Sequence, residues 1–515
     1  MFGRAAEDLK RFNVWRGLVF VKRDISVPAN IRKQKQETPG WLEPNFMFRQ
    51  RFGALARSFQ LCQCKSQRVQ HFTKLANGSI QPKIDIARLA SHAEATADNM
   101  RKRNFDRIDM VQLKTLYEKR LLIYSQVLEL RAKRNKLSKA TQNCSSSDRA
   151  KHIQDGKIIK ADIKKLDEQL QHIESELLLK ALQIPNDTHP DVPVGPEANA
   201  RQIKIVGEPR QEGWEEDHLA IAQRLNILDL SQAALVSGSS FYYLQGHGAF
   251  LEMALIQYAL EKAASKGFLG VITPDIVRTN IAYSCGFQPR AGESSQIYGV
   301  SPMAAEEADE QTSLCLAGTA EIPLAGKFAT NILEEGELPK RLVGFGRAFR
   351  AEAGGRGTET KGLYRVHQFS KVELFAVTTP EQSDAMLEEL RMIQEEMFSE
   401  LGLCFRVLDM PTEELGASAY RKYDIEAWMP GRKKWGEISS TSNCTDYQSR
   451  RLSIRYRPTH HTGQNTLFCH TLNGTALAVP RVIIAILENF QNSDGTVRVP
   501  EVLRKWLPGQ PSTLS

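Results

Sequence analysis

The stretch RLVGFGRAFRAEAGGRGTETKGLYRVHQFSKVELFAV, residues 341–377, decides how this chain is read. It reads as two strands joined by a Gly-rich loop from Ala353 to Leu363, and strand side chains alternate between faces with a period of two. Arg350 and Glu352 then share one face at the end of the first strand. On the second strand Arg365, His367, Phe369, Lys371 and Glu373 share a face, while Val366, Val372 and Leu374 point the other way. Arginines, carboxylates and an aromatic ring on one sheet surface suit a nucleotide. Guanidiniums fork onto phosphate oxygens, a ring stacks on a base, and a carboxylate accepts from an amino group. The plainer alternative is a solvated hairpin whose charges pair with one another. Spacing excludes two other nucleotide loops. Lys361 is followed by Gly362, so G-x-x-x-x-G-K-[ST] is absent, and GFGRAF does not complete G-x-G-x-x-G.

A chain of 515 residues can bury a large core and hold two or three domains. It contains no apolar run near the ~18 residues of a membrane-spanning helix. The eight cysteines are scattered; only Cys62 and Cys64 lie close together, and no C-x-x-C pair marks a local zinc site. This usage fits a reducing compartment. The net charge of +8 is unevenly spread: residues 1–75 hold 15 basic and 5 acidic side chains, residues 101–182 hold 19 and 11, and the rest sums to −10. An anionic partner should therefore dock on the N-terminal portion.

From Pro44 to Ile84 there is no acidic residue, yet Arg49, Arg51, Arg57, Lys65, Arg68, Lys74 and Lys83 occur among Phe, Leu and Ala. An Arg-rich, acid-free opening is the composition of a mitochondrial transit peptide. It begins near Met47, whereas residues 1–43 carry Glu7, Asp8, Asp24, Glu37 and Glu43, so the functional start is either Met1 with a long leader or Met47. Residues 1–80 are expected to be a targeting leader, or else a disordered basic tail, with the mitochondrial matrix as destination and the cytoplasm as the alternative. The folded protein is expected to begin with a helix near Asp85. Two long helical patterns follow. In the second, Ile159, Ile163, Leu166, Leu170, Ile173 and Leu177 step by fours and threes as a heptad seam; in the first, Leu113, Tyr117, Leu121, Tyr124 and Leu128 form a looser one. A polar turn, Thr141 to Asp148, joins them into an antiparallel hairpin. Near its tip stand Arg131, Lys133, Arg134, Lys136, Lys139, Arg149 and Lys151. A charge run is usually a solvated face, but on an otherwise acidic body it points to a polyanion, since each neutralised phosphate releases counterions. The prolines of IPNDTHPDVPVG, residues 184–195, end the hairpin.

From Trp214 the pattern is mixed α/β: an apolar helix from Phe250 to Ala264, a strand from Phe268 to Ile272 and then Pro274. After the central strands come a helix from Pro380 to Leu401, a strand from Phe405 to Leu408, and the string GEISSTSNCTDYQSRR, residues 436–451. In NGTALAVPRVIIAILENFQ, residues 473–491, Pro480 fits a first helical turn. Arg481 then stands at the N-terminal end, where the helix dipole favours phosphate.

Phe349-Arg350-Ala351-Glu352, the Gly-rich loop and GLYRVHQFSKVE resemble motif 2 of class II aminoacyl-tRNA synthetases in its seryl-tRNA synthetase form. Residues 246–277 resemble motif 1, LAGTAEIPLAG (residues 316–326) resembles the serine-binding T-x-E loop, and residues 473–491 resemble motif 3. The likeness runs over roughly residues 85–505. It implies an α+β fold: a class II antiparallel sheet flanked by helices in residues 196–515, preceded by an antiparallel coiled-coil arm and linker in residues 81–195. It implies a homodimer through the motif 1 region, with tRNA(Ser), serine and ATP as partners and no membrane.

The activity implied is serine–tRNA ligation: serine and ATP give seryl-adenylate, and the seryl group passes to the 3′ end of tRNA(Ser). The alternative is an inactive paralogue that binds tRNA or protein. Carried over residue by residue, Arg350 and Arg481 are catalytic; Arg350, Glu352, Arg365, Phe369, Glu437, Ser440 and Arg481 bind ATP. Glu437 and Ser440 hold Mg²⁺, and Thr319, Glu321, Arg350, Glu373, Asn473 and Thr475 form the serine pocket. The seven basic residues of the arm contact tRNA. Three departures stand out. The motif 2 loop has Thr358, Glu359 and Lys361 where the family has an Arg-Asp pair and an Arg. Gly318 replaces a Pro before T-x-E, and Pro480 replaces a Gly.

Overall fold

The computed structural model describes residues 80–105, 107–142, 145–287, 297–301, 313–351, 362–459 and 465–515. The expected leader, both candidate start methionines, Glu352 and the motif 2 loop through Lys361 lie outside these residues. Among the described residues no helix is long and apolar enough to cross a membrane.

The expected first helix is broken at His92 into Ile86–Ser91, capped by Asp85, and Ala93–Lys102. The arm follows as α1 (Met110–Gln142) and α2 (Ser146–Leu182), the second capped by the Ser145 side chain. The α2 seam is as read, with Ile163, Ile173 and Leu177 buried and Ile159, Leu166 and Leu170 partly so. The α1 seam differs. Leu113 and Tyr117 belong to it, but Ile123 and Val127 are the buried residues further on, while Leu121, Tyr124 and Leu128 are exposed. Arg120, half-buried, occupies the seam position between them and donates to Glu174 of α2 at 2.8 Å, which interrupts the apolar repeat. At the arm's root, buried Arg103 donates to the carbonyls of Asn186 and Gly416, and buried Arg451 to those of Leu182 and Ile184.

The body is built on eight strands: β1 (Arg201–Val206), β2 (Leu269–Ile272), β3 (Lys340–Phe349), β4 (Gln368–Thr378), β5 (Phe405–Asp409), β6 (Arg421–Met429), β7 (Lys434–Asn443) and β8 (His470–Ala478). Their order is β1-β5-β6-β7-β8-β4-β3-β2, and only the β2–β3 pair is parallel. Helices α3 (His247–Ser265), α4 (Ser383–Glu400) and α5 (Val479–Asn489) contribute to the main core. Alternation along β4 separates core from cleft. Val372, Leu374 and Ala376 enter that core, whereas Phe369, Lys371 and Glu373 face the other way, and beyond them Phe375 and Val377 join a second core with Ile322, Leu324, Leu452 and Ile454. One expectation fails here. Arg365 and His367 precede β4, because the chain leaves Gly362 at φ +68° and turns before Gln368, so they share no strand face with Phe369.

Candidate active site

An open cleft lies on the β4–β8–β7 face, lined among others by Arg350, Tyr364, Arg365, Phe369, Glu437, Ser440, Thr475 and Arg481. Arg350, just past β3, lies with its guanidinium carbon 5.3 Å from the centre of the Phe369 ring, and its Nε donates to the Gly318 carbonyl at 3.4 Å. Glu437 and Ser440 are three residues apart on β7 and would face opposite sides of a regular strand. A bulge corrects this: Ile425 pairs with Ser439 but Glu426 with Glu437, leaving Ile438 over, and Asp424 pairs with Ser440. Since Asp424 and Glu426 share a face of β6, Glu437 and Ser440 do too.

Pro480 lies in the first turn of α5, as expected, and delivers Arg481 to the cleft. Arg481 donates to the Glu437 carboxylate and carbonyl, both at 3.0 Å, and through Nε to the Tyr364 carbonyl at 3.2 Å. Burial alone would raise the Glu437 carboxyl. The nearby charges of Arg481, Lys422 and Arg350, with the Arg481 hydrogen bond, outweigh it and hold the group well below the usual carboxylate range. Glu437 is therefore ionised at neutral pH. An ionised carboxylate beside a hydroxyl is an oxygen donor set that fits a hard cation such as Mg²⁺.

A second group of polar side chains lies behind the cleft-lining residues Lys371 and Thr475. Glu373 is buried; its Oε2 accepts from Lys371 Nζ at 2.7 Å and from Thr319 Oγ1 at 3.1 Å. Its Oε1 has no partner among the described residues. Thr475 is the cross-strand partner of Glu373 in the β8–β4 register. Glu321 is also buried, its Oε1 accepting from Gln448 at 2.6 Å and Asn473 at 2.9 Å. Burial, reinforced by the charge on Glu373, pushes the Glu321 carboxyl up to about 7 despite Lys371 and the two amides. Thus Thr319, Glu321, Glu373, Asn473 and Thr475 form one cluster beside the Arg350–Phe369 and Glu437–Arg481 groups. The arm cations stand apart from it: Lys133, Arg134, Lys136, Lys139, Arg149 and Lys151 are exposed, and Arg131 pairs with Asp167 at 3.0 Å.

Four residues of the site had no role in the sequence reading. Tyr364 lines the cleft and carries Arg432 at 3.7 Å and Arg481 at 4.6 Å from its ring centre. Lys371 is a buried partner of Glu373 rather than a surface charge, and Gln448 braces Glu321. Lys422 pairs with buried Asp424 at 2.7 Å behind Glu437. The first two sit inside the motif 2 string and the third in GEISSTSNCTDYQSRR, but their partners are remote in sequence.

A ligand cleft on the open face of an antiparallel sheet sets this protein apart from doubly wound folds, whose ligands lie beyond the carboxyl ends of parallel strands. Its class is that of the class II aminoacyl-tRNA synthetases: residues 302–490 match the family described as tRNA synthetase class II core domain (G, H, P, S and T). Residues 84–188 match the seryl-tRNA synthetase N-terminal domain. Within the class, the chain belongs to the seryl-tRNA synthetase family. It is 43% identical over 423 residues to a serine–tRNA ligase of Rubrobacter xylanophilus, covering 82% of this chain and 96% of the relative. It is 42% identical over 448 residues to the mitochondrial serine–tRNA ligase of Schizosaccharomyces pombe, covering 84% and 89%. The seryl-tRNA synthetase of Pyrococcus horikoshii, solved in complex with ATP, superposes with a TM-score of 0.76 at 33% identity, covering 83% of this chain and 98% of that one.

Proposed function

We propose that this chain is an active serine–tRNA ligase, with the serine pocket at Thr319, Glu321, Glu373, Asn473 and Thr475. The observation that carries the reading is Glu373: a buried carboxylate with one oxygen held by Lys371 and Thr319 and the other without a partner among the described residues. Such an oxygen suits a substrate donor and penalises a substrate that lacks one. In the first step the serine carboxylate attacks the α-phosphorus of ATP and the bond to pyrophosphate breaks. Arg350 neutralises the α-phosphate and aligns the carboxylate, Phe369 stacks on the adenine, and Arg481 and Arg365 take phosphate oxygens further out. Glu437 and Ser440 would hold Mg²⁺, which supplies charge neutralisation on the phosphates. In the second step a hydroxyl of the tRNA's terminal ribose attacks the seryl carbonyl and AMP leaves. Neither step needs a protein nucleophile.

Three wider readings belong with this one. Residues 81–195 act as the tRNA-binding arm and linker and residues 196–515 as the catalytic domain, the arm's cations meeting RNA phosphates. The body forms a homodimer through β2 and α3. Edge strand β2 leaves Leu269 at 63% and Ile272 at 96% exposure, and Met253 on α3 is 60% exposed. Residues 1–80 direct the protein to the mitochondrial matrix; their acid-free stretch and the mitochondrial relative in Schizosaccharomyces pombe support this over the cytoplasm. An inactive paralogue would have no use for Arg350, Phe369, Glu373, Glu437 and Arg481 together. Amino-acid-dependent ATP–pyrophosphate exchange tests the reading. Exchange should occur with serine and fall by about two orders of magnitude or more with alanine; no exchange with any amino acid would leave the inactive paralogue.

A further inference from the structure

Behind the cleft a single buried carboxylate ties together three segments far apart in sequence. Glu488, fully buried near the end of α5, accepts through Oε1 from the backbone N–H of His218 at 3.0 Å and from its Nδ1 at 3.1 Å. Its Oε2 accepts from the backbone N–H of Arg432 at 3.2 Å, in the turn between β6 and β7. His218 is itself buried, and its Nε2 lies 3.4 Å from the backbone nitrogen of Leu363. An amide N–H can only donate, so Nε2 accepts and Nδ1 carries the proton given to Glu488. The fit against His218 is close: a Cβ at Gly362 would stand 2.2 Å from His218 Nε2.

The next residue, Tyr364, is held from both sides. The Arg432 guanidinium, on the turn that Glu488 fixes, lies 3.7 Å from the centre of its ring. Its carbonyl accepts from Arg481. Arg481 and Glu488 are seven residues apart on α5, two turns and about 10 Å along one helix face. The helix thus presents a guanidinium to the cleft at one end and grips the wall of that cleft from behind at the other.

We propose that Glu488 and His218 are positioning residues for the phosphate end of the cleft. They fix Leu363 and the Arg432 turn, these fix Tyr364, and Tyr364 orients Arg481. The inference rests on the reading of Arg481 as a phosphate contact. The test uses His218→Asn and Glu488→Gln in the full chain. In the first, the Asn amide can still donate to Glu488 but places no acceptor where Nε2 met Leu363; the second keeps the shape but sets an NH2 donor against one of the N–H groups that Glu488 accepts from. The Kd for ATP with Mg²⁺ is measured by calorimetry, together with the KM for ATP and for serine in pyrophosphate exchange. A tenfold or greater rise in Kd and KM for ATP is expected, with the serine KM changed less than twofold. A purely structural role would lower kcat with the folded fraction and leave both KM values alone, and that result, or ATP and serine KM rising together, overturns the proposal. Should His218→Asn fail to fold, Glu488→Gln decides by the same readouts. If the wild type binds ATP but shows no serine-dependent exchange, the functional reading fails while Kd still judges the positioning pair.

Discussion

Glu321 should make both serine binding and stability depend on pH. Its carboxyl stands at about 7 in place of 4.5, chiefly through burial and then through the charge on Glu373. If the ionised form receives the serine ammonium group, the ionised fraction rises about tenfold between pH 6 and pH 8, and the KM for serine should fall by about the same factor. The stability consequence has the opposite sense. Between pH 4.5 and 7 the folded protein keeps a proton that the unfolded chain has released, so stability is greatest below this window and declines through it. The loss from this group amounts to about 2.5 kcal/mol between pH 5 and pH 8. Glu321→Gln mimics the protonated form and can still accept from Gln448 and Asn473. The variant should therefore gain about 2.5 kcal/mol over wild type across that range, measured by urea unfolding at each pH. Its serine KM should be high and flat with pH. A wild-type serine KM that does not move from pH 6 to 8, or a stability difference independent of pH, would refute the assignment.

Arg350→Ala and Arg481→Ala should each lower kcat/KM for pyrophosphate exchange at least ~10²-fold, about 2.7 kcal/mol of transition-state stabilisation; near-wild-type exchange in either would remove that residue from the site. Replacing residues 125–165 with a short Gly/Ser loop leaves the root packing of Leu113, Ile173 and Leu177 against Leu89 and Met100 in place. This deletion should spare exchange while tRNA charging falls sharply and loses its steep salt dependence. Normal charging would make the arm a structural spine with a solvated basic face. A double Leu269→Asp, Ile272→Asp variant should run as a monomer in light scattering where wild type runs as a dimer; a wild-type monomer would reject the β2 interface. Residues 47–80 fused to a fluorescent reporter should reach mitochondria, and diffuse signal from that fusion and from one of residues 1–80 would reject the leader.

The legibility of the sequence followed how local each determinant was. The α2 seam could be read because Ile and Leu hold every position, whereas in α1 Arg120 takes a seam position for the sake of Glu174, and the outward Leu121, Tyr124 and Leu128 imitate a stripe. Phe369 and Glu373 fell on the correct face because β4 is regular there. Arg365 and His367 did not, because the left-handed backbone at Gly362 delays the strand. The bulge at Ile438, which brings Glu437 and Ser440 to one face, has no local signature. Lys371 looked like one more surface cation until burial made it the partner of Glu373. His218 and Glu488, 270 residues apart, could be joined only by the fold.

Whether this chain makes seryl-tRNA is decided by incubating it with ATP, Mg²⁺, radiolabelled serine and total mitochondrial tRNA and following acid-precipitable label. ATP-dependent label should appear on tRNA, be released by mild alkali as an ester and be lost in Arg350→Ala. Absence of label on any tRNA, from a protein that still supports serine-dependent pyrophosphate exchange, would contradict this expectation and leave an enzyme that adenylates serine for some other acceptor.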